Sequence, residues 1–321
     1  MSKPSIVFFG SGPVAAKSLQ LLAQEFTIEA VVTKPRPAHH RGAVPVLDAL
    51  DSLKIMHRLD IPVHTVSNKA ELSRLIKTKP FTSRLGVLID FGIIVGKDVI
   101  DYFPLGIINS HFSLLPEWRG PDPITFAILS GQESTGVSLM LLVPGLDEGP
   151  ILEDAEYSLG EDSTITGPEL TDQLIALSHD LLVKNIPAYL AGAKQPLPQD
   201  TKFTKPTYSR KITKADGVID WSKPADEIYR QIRAFVEWPK SHIQIGGKDI
   251  VITKARLPLQ QADAYGVGRL KPGQVAASQD KKHLFVQTGD GLLELTGLKP
   301  AGKPEMSSEA FLAGYDPTKS A

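Results

Sequence analysis

The chain has 321 residues, a length that allows one large domain and favours two. Of these residues 42% are hydrophobic and 22% charged, with a formal net charge of −1, a composition typical of a globular protein. It contains no cysteine, which excludes disulfides, thiolate metal ligands and a cysteine nucleophile. It also lacks an apolar run long enough to span a bilayer and a signal-peptide pattern, so we expect a cytoplasmic protein.

The charges are unevenly distributed between the two halves of the chain. Residues 1–190 carry 15 Lys and Arg against 22 Asp and Glu, whereas residues 191–321 carry 20 against 14. A basic C-terminal half suits a polyanionic partner, although chance variation between two domains would give the same pattern.

The first predicted element is a buried strand at residues 6–9, followed by the turn Gly10-Ser11-Gly12 and a helix. This turn matches the G-x-G-x-x-A fingerprint of dinucleotide-binding proteins. The next strand ends at Thr33-Lys34, where an acid would be needed to bind the ribose hydroxyl. Because Arg36 could receive a 2′-phosphate instead, an NADP enzyme remains an alternative.

Helix and strand patterns alternate up to residue 150, which predicts an α/β fold with a mainly parallel sheet. The helix patterns cover residues 46–59 and 72–76. The strand patterns cover residues 61–63 and 85–89, and the second of these leads into a loop that ends near residue 94.

Residues 105–120 contain the candidate catalytic pair. An apolar run leads into Asn109-Ser110-His111, which predicts a buried strand that places Asn109 and His111 on the same face. An amide stabilises a developing oxyanion and an imidazole shuttles protons near neutral pH, so the pair suits acyl-type transfer. Asp147, after the apolar run 137–143, is the candidate carboxylate to orient His111. The alternative is that all three residues only terminate strands and form turns.

The C-terminal part of the chain predicts a second domain. A helix at residues 168–190 is followed by a proline-rich linker at 191–206, and residues 202–214 hold five basic residues and no acid. Short alternating segments after Trp238-Pro239 predict a small β-barrel. We therefore expect domains at 1–190 and 207–321.

The chain resembles the folate-dependent formyltransferases through three linked motifs, namely Asn109-x-His111, Ser113-Leu114-Leu115-Pro116-x-x-Arg119-Gly120 and Gly145-Leu146-Asp147-x-Gly149. Over nearly its whole length it is similar to the tRNA-formylating members of that family. The resemblance implies a Rossmann-like catalytic domain followed by an OB-like β-barrel that binds tRNA. It also implies 10-formyltetrahydrofolate as formyl donor, methionyl initiator tRNA as acceptor, a role in translation initiation, a monomer, and neither a metal nor a dinucleotide.

The resemblance also implies roles for individual residues. Asn109 would polarise the formyl oxygen, His111 would carry the proton, and Asp147 would orient His111. Folate binding is implied for two loops that contain Ser113, Leu114, Leu115, Pro116, Asp90, Phe91, Gly92 and Ile93. Binding of tRNA is expected at Arg41, Lys205, Arg210 and Lys211.

The chain departs from the family pattern at three places. Asp90 replaces a small residue, so its carboxylate either touches the pterin or caps a helix near Val95. Ala43-Val44 stands where lysines usually follow the Arg41-Gly42 pair. Pro121-Asp122 replaces two alanines, which keeps a sugar-amine formyltransferase as an alternative. Two further alternatives are a glycinamide ribonucleotide formyltransferase, normally a single domain, and a catalytically silent binding protein.

Overall fold

The computed structural model describes residues 3–36, 45–160, 163–202, 205–245, 248–258 and 270–315. It divides the chain into two compact units that alternate along the sequence. The first unit comprises Met1–Pro123, Ser134–Ser158 and Thr171–Ser209, and the second comprises Ile124–Glu133, Leu159–Leu170 and Arg210–Ala321. The functional domains expected at residues 1–190 and 207–321 remain a prediction. Arg41, with the rest of residues 37–44, lies outside the described residues.

A seven-stranded sheet forms the first unit. Its strands are β1 (Ser5–Phe9), β2 (Thr27–Thr33), β3 (Val63–Thr65), β4 (Gly86–Leu88), β5 (Ile107–His111), β6 (Ser134–Leu141) and β7 (Ile151–Ser158). The strand order is β3-β2-β1-β4-β5-β6-β7, in which β1 to β5 pair in parallel and β6 and β7 pair antiparallel. The helices that begin between these strands are α1 (Pro13–Glu25), α2 (Pro45–His57), α3 (Lys69–Lys77), α4 (Lys97–Ile100) and α5 (Pro123–Ser130), and α6 (Gly167–Leu190) follows β7.

The continuous apolar runs of the sequence become the central strands because a parallel sheet is covered on both faces. All five residues of β5 are buried. Beside it, Phe9 of β1 packs edge-on against Phe91 and Phe103, with ring centroids 5.7 and 5.8 Å apart. This packing holds the end of β1 against the segment that follows β4 and the segment that precedes β5.

The second unit is built on an antiparallel sheet. Its strands are β8 (Ser241–Ile245), β9 (Lys248–Arg256), β10 (Val275–Ala277), β11 (Leu284–Gln287), β12 (Leu292–Pro300) and β13 (Met306–Ser307), and its later helices are α7 (Ala225–Ala234) and α8 (Ser308–Gly314). The order is β10-β11-β12-β9-β8, with β13 paired to β12. Ile228 and Ile232 lie one turn apart on α7, and both join the core that covers this sheet.

Two segments from earlier in the chain complete the second unit. The Nε of Arg230 on α7 donates to the carbonyl oxygen of Leu129 at 3.2 Å, and Nη1 of Arg233 donates to that of Ile165 at 3.0 Å. The second unit therefore incorporates α5 and the stretch before α6.

The architecture confirms the predicted fold class, a Rossmann-like and mainly parallel sheet followed by a smaller β-domain. Among the described helices, none combines the length and the apolar character needed to cross a membrane.

Candidate active site

The carboxyl ends of three parallel strands meet at one edge of the first sheet. Phe9 of β1 pairs with Leu88 of β4, and Leu88 pairs with Asn109 of β5. The turn at residues 10–12, the loop at residues 90–93 and the end of β5 therefore lie along one edge. This is the edge at which open α/β sheets bind ligands.

The structure brings the three predicted catalytic side chains together at this edge. Asn109 is 8% exposed and His111 is 6% exposed, so both are shielded from bulk water. Asn109 Nδ2 lies 3.5 Å from Oδ1 of Asp147, and His111 Nδ1 lies 3.9 Å from Oδ2 of the same carboxylate. Catalytic hydrogen bonds often tighten when substrate binds, and contacts of this length leave room for that.

The hydrogen bonds of His111 indicate how its two ring nitrogens are used. Its Nε2 lies 3.0 Å from the carbonyl oxygen of Trp118. Because a carbonyl oxygen only accepts, Nε2 must carry the hydrogen. In the neutral ring, Nδ1 then keeps a lone pair on the side that faces Asp147. His111 can therefore accept a proton at Nδ1, and the carboxylate stabilises the imidazolium that forms.

The loop that carries Asp147 is fixed by local backbone features. Asp147 has a φ of 51°, in the left-handed region that residues other than glycine rarely adopt. The backbone N–H of Gly120 donates to its Oδ2 at 2.8 Å. Gly149 allows the loop to fold back on β6, since a Cβ there would lie 1.7 Å from the carbonyl oxygen of Leu141. These contacts direct the carboxylate towards β5.

Two buried residues beside the site were not predicted as site residues. Gln199 is 6% exposed, and its Nε2 donates to the carbonyl oxygens of Asp147 and Gly149, both at 2.8 Å. Arg119 is 8% exposed and donates from Nη2 to Oε1 of Gln199 at 2.7 Å. Its Nη1 lies 3.5 Å from Oε1 of Glu148. Arg119 is part of the motif that runs from Ser113 to Gly120, and this could have indicated it as a site residue. No pattern in the proline-rich stretch indicates Gln199.

The loop after β5 contains four of the residues predicted to bind folate. Ser113, Leu115 and Pro116 are buried, and Leu114 is half-buried. The hydroxyl of Ser113 donates to the carbonyl oxygen of Glu117 at 2.6 Å, which tightens the loop. In this conformation Leu114 presents the most accessible side chain of the four.

The other predicted folate loop follows β4. Phe91 is only 2% exposed and packs in the core, so its side chain does not line an open pocket. Gly92 is exposed and Ile93 is half-buried. The neighbouring Ile94, which was not predicted, is 76% exposed. The accessible parts of this loop are therefore Asp90, which is exposed, and the residues that follow Phe91.

Asp90 caps a different helix from the one expected. Its carboxylate accepts hydrogen bonds from the backbone N–H groups of Ala15 and Val14, in the first turn of α1. The N-cap of α1 is Gly12, which cannot provide a side-chain cap, and a Cβ there would lie 1.8 Å from Oδ2 of Asp90. The helix near Val95 begins after Gly96 instead. The turn that binds phosphate in dinucleotide-binding proteins is thus filled here by a carboxylate of the chain itself.

The surroundings of Asp90 also shift its ionisation. Asp90 is an exposed residue, but neighbouring protein atoms partly desolvate its carboxyl, and this desolvation raises its pKa to about 6. The two backbone N–H groups and the charge of Lys34 oppose the rise, and the charge of Asp122 adds to it.

The residues predicted to bind tRNA differ in their availability. Lys205, Lys211 and Arg210 are all exposed. The guanidinium of Arg210 donates to both carboxylate oxygens of Asp216, one of them at 2.9 Å, and this holds the pKa of Asp216 well below its usual value. Arg210 therefore has its charge partly neutralised within the protein. The described part of the chain holds no group of three or more His, Asp or Glu side chains placed to hold a metal ion.

Comparison with known proteins identifies relatives over nearly the full chain. The family model described as formyl transferase matches residues 5–186, and that described as formyl transferase, C-terminal domain, matches residues 211–316. The methionyl-tRNA formyltransferase of Chloroflexus aurantiacus is 37% identical over 313 residues, which cover 96% of each chain. That of Pseudomonas entomophila is 36% identical and covers 95% of this chain and 94% of its own.

A solved structure shares the fold. The N-formyltransferase from Helicobacter canadensis, in complex with folinic acid and dTDP-3-aminofucose, superimposes with a TM-score of 0.65 at 19% identity. The match covers 92% of this chain and 99% of that one.

Proposed function

This chain belongs to the formyl transferase family and groups with its methionyl-tRNA formyltransferases, and from this membership we propose that it transfers a formyl group from 10-formyltetrahydrofolate to the α-amine of methionyl initiator tRNA. The reaction supplies the formylated initiator for translation. Relatives that share more than a third of their residues over nearly the whole chain support this acceptor. The folinic acid bound by the Helicobacter canadensis protein supports a folate donor.

The site geometry supports direct attack of the amine on the formyl carbon. As the new C–N bond forms, Asn109 Nδ2 donates to the oxyanion, an interaction worth about 2.7–4 kcal/mol of barrier. His111 Nδ1 takes the proton released by the amine, with Asp147 stabilising the resulting imidazolium. The intermediate then collapses, the bond to the folate nitrogen breaks, and His111 returns the proton to that nitrogen. These steps need no covalent bond between the protein and the formyl group.

The binding assignments are part of the same proposal. The folate lies along the sheet edge, against residues 113–116 and 90–93, of which Leu114, Asp90, Gly92 and Ile93 are the accessible ones. The tRNA is held by the basic segment with Lys205 and Lys211 and by the domain at residues 207–321, while Arg41 acts near the acceptor end. The chain works as a monomer in the cytoplasm, with residues 1–190 as its catalytic domain.

The observation that carries this proposal is the buried grouping of an amide, an imidazole and a carboxylate at the carboxyl edge of the sheet. An assay of formyl transfer to methionyl-tRNA, run beside an amino-sugar nucleotide, tests it. We expect formylated tRNA and no formylated sugar. Pro121-Asp122, together with the sugar nucleotide bound by the Helicobacter canadensis protein, favours a sugar N-formyltransferase as the second candidate. Formylation of the sugar alone would establish that candidate instead.

A further inference from the structure

Part of the predicted linker at 191–206 and the first residues after it are hydrogen-bonded to the loops of the candidate active site. We call residues 197–202 and 205–209 the brace. At its start, Leu197 exchanges two backbone hydrogen bonds with Ile151, at 2.7 and 2.8 Å, just after the Asp147 loop. At its end, the carbonyl oxygen of Thr207 accepts from the N–H of Arg119 at 2.9 Å. The brace therefore joins the loop that carries Asp147 to the loop that follows His111.

The end of the brace also fixes the group that binds His111. The backbone N–H of Trp118 donates to the hydroxyl of Thr207 at 2.9 Å. The carbonyl oxygen of Trp118 is the acceptor for Nε2 of His111. The N–H of Ser209 donates to the carbonyl oxygen of Arg119 at 2.8 Å. Thr207 thus holds in place the peptide that sets the tautomer of His111.

Gln199 makes the corresponding contact on the Asp147 side. An amide side chain has two N–H donors and a carbonyl acceptor. Both donors of Gln199 are used by the carbonyl oxygens of Asp147 and Gly149, and its acceptor is used by Arg119. Because the side chain is buried and fully paired, it can adopt only one orientation. It contacts the backbone on both sides of Glu148 and does not touch the reacting atoms.

We propose that Gln199 is a positioning residue that holds Asp147 at the correct distance from His111, an inference that rests on the proposed formyl transfer. A residue other than glycine in the left-handed region costs about 1–3 kcal/mol and persists only where its surroundings determine it. Two hydrogen bonds keep Asp147 in this conformation. Gln199 donates to its carbonyl oxygen, and the N–H of Gly120 donates to its carboxylate. Without Gln199 the Asp147 loop relaxes and the carboxylate moves away from His111 Nδ1.

Variants at position 199 test the proposal in the full-length protein. Gln199→Ala removes both donors, and a displacement of about 1 Å at a catalytic group costs about a hundredfold in rate. We expect kcat to fall by about that factor while KM for both substrates changes little. Gln195→Ala is the control, because Gln195 lies in the same stretch, is exposed and donates to the carbonyl oxygen of Gly192, away from the Asp147 loop. Its kcat should equal that of the wild type.

Gln199→Glu gives a readout that a merely structural role would not produce. At high pH its carboxylate would face the carbonyl oxygens of Asp147 and Gly149 with no hydrogen to donate. At low pH the protonated acid can donate to one of them while it still accepts from Arg119. The ratio of its kcat to that of the wild type should therefore rise as pH falls, and thermal melting reports separately on folding.

Two results would overturn the inference. One is a kcat for Gln199→Ala equal to that of the control. The other is a ratio for Gln199→Glu that does not change with pH. If Gln199→Ala fails to fold, Gln199→Met retains the volume without the hydrogen bonds and takes its place. Each ratio is measured on whichever amine the wild type formylates, so a wrong choice of acceptor is detected in the wild type and does not affect this test.

Discussion

Neutralising Asp147 is the most direct test of the chemistry, because Asn retains the shape of the side chain. Its amide oxygen can still accept from the N–H of Gly120, so the loop is preserved. What is removed is the attraction between a carboxylate and an imidazolium at 3.9 Å. In a site with an effective dielectric constant of about 20, this amounts to about 4 kcal/mol. Because the two side chains are only 7% and 13% exposed, salt screens the interaction little.

We therefore expect kcat of Asp147→Asn to fall by about a thousandfold. The measurement is a single-turnover formyl transfer with both substrates saturating, since product release then does not mask the chemical step. Asp172→Asn makes the same change of charge at an exposed residue paired with Lys17, and it should leave kcat unchanged. In the His111→Ala background the Asp147 substitution should add almost no further loss. A rate within about tenfold of wild type, or full additivity of the two losses, would refute the reasoning.

Three other sets of variants test separate parts of the proposal. His111→Ala should still fold and should lower kcat by about two to four orders of magnitude, in the same transfer assay. Asp90 has a raised pKa, so the folded chain binds more protons than the unfolded chain between pH 3.8 and about 6, and its contribution to stability decreases as pH rises through that window. Asp90→Asn should remove this decrease, which is measured by melting temperatures of the wild type and the variant at pH 4.5 and 7.5. The same change in melting temperature between the two pH values in both proteins would contradict the raised pKa of Asp90. Replacing Lys205 and Lys211 with Ala should reduce the slope of log KM for tRNA against log salt concentration by about 0.7–0.9 for each phosphate that is no longer neutralised. Identical slopes for the variant and the wild type would show that these two lysines do not bind tRNA phosphates.

The strands and the catalytic pair could be predicted because they depend on local patterns. The apolar run before Asn109 indicates a buried strand, and the period of two places Asn109 beside His111. Both inferences are independent of the rest of the fold. Asp147 was a candidate because it follows the apolar run 137–143, and the family motif supported it, but its distance from His111 depends on the fold of a whole loop.

The remaining site residues could not be predicted because their contacts are set by packing between distant segments. Gln199 binds a carbonyl oxygen 52 residues away, and its own neighbourhood shows only prolines and polar residues. The charge of Asp90 suggested that it caps a helix. The helix that it caps, α1, follows β1 and is distant in sequence from Asp90. Arg210 was predicted to be free for phosphate, and its pairing with Asp216 depends on a tight turn that the basic run did not indicate.

The alternation of the two units along the chain limits how the molecule can be cut into independent fragments. A fragment that ends at Ser209 would still contain α5 and residues 159–170, which belong to the second unit. It would lack Arg230 and Arg233, whose guanidinium groups bind the carbonyl oxygens of Leu129 and Ile165. The largely apolar α5 would then be left uncovered, which favours aggregation. Expression of the catalytic half alone therefore requires replacement of these two insertions as well as removal of the C-terminal residues.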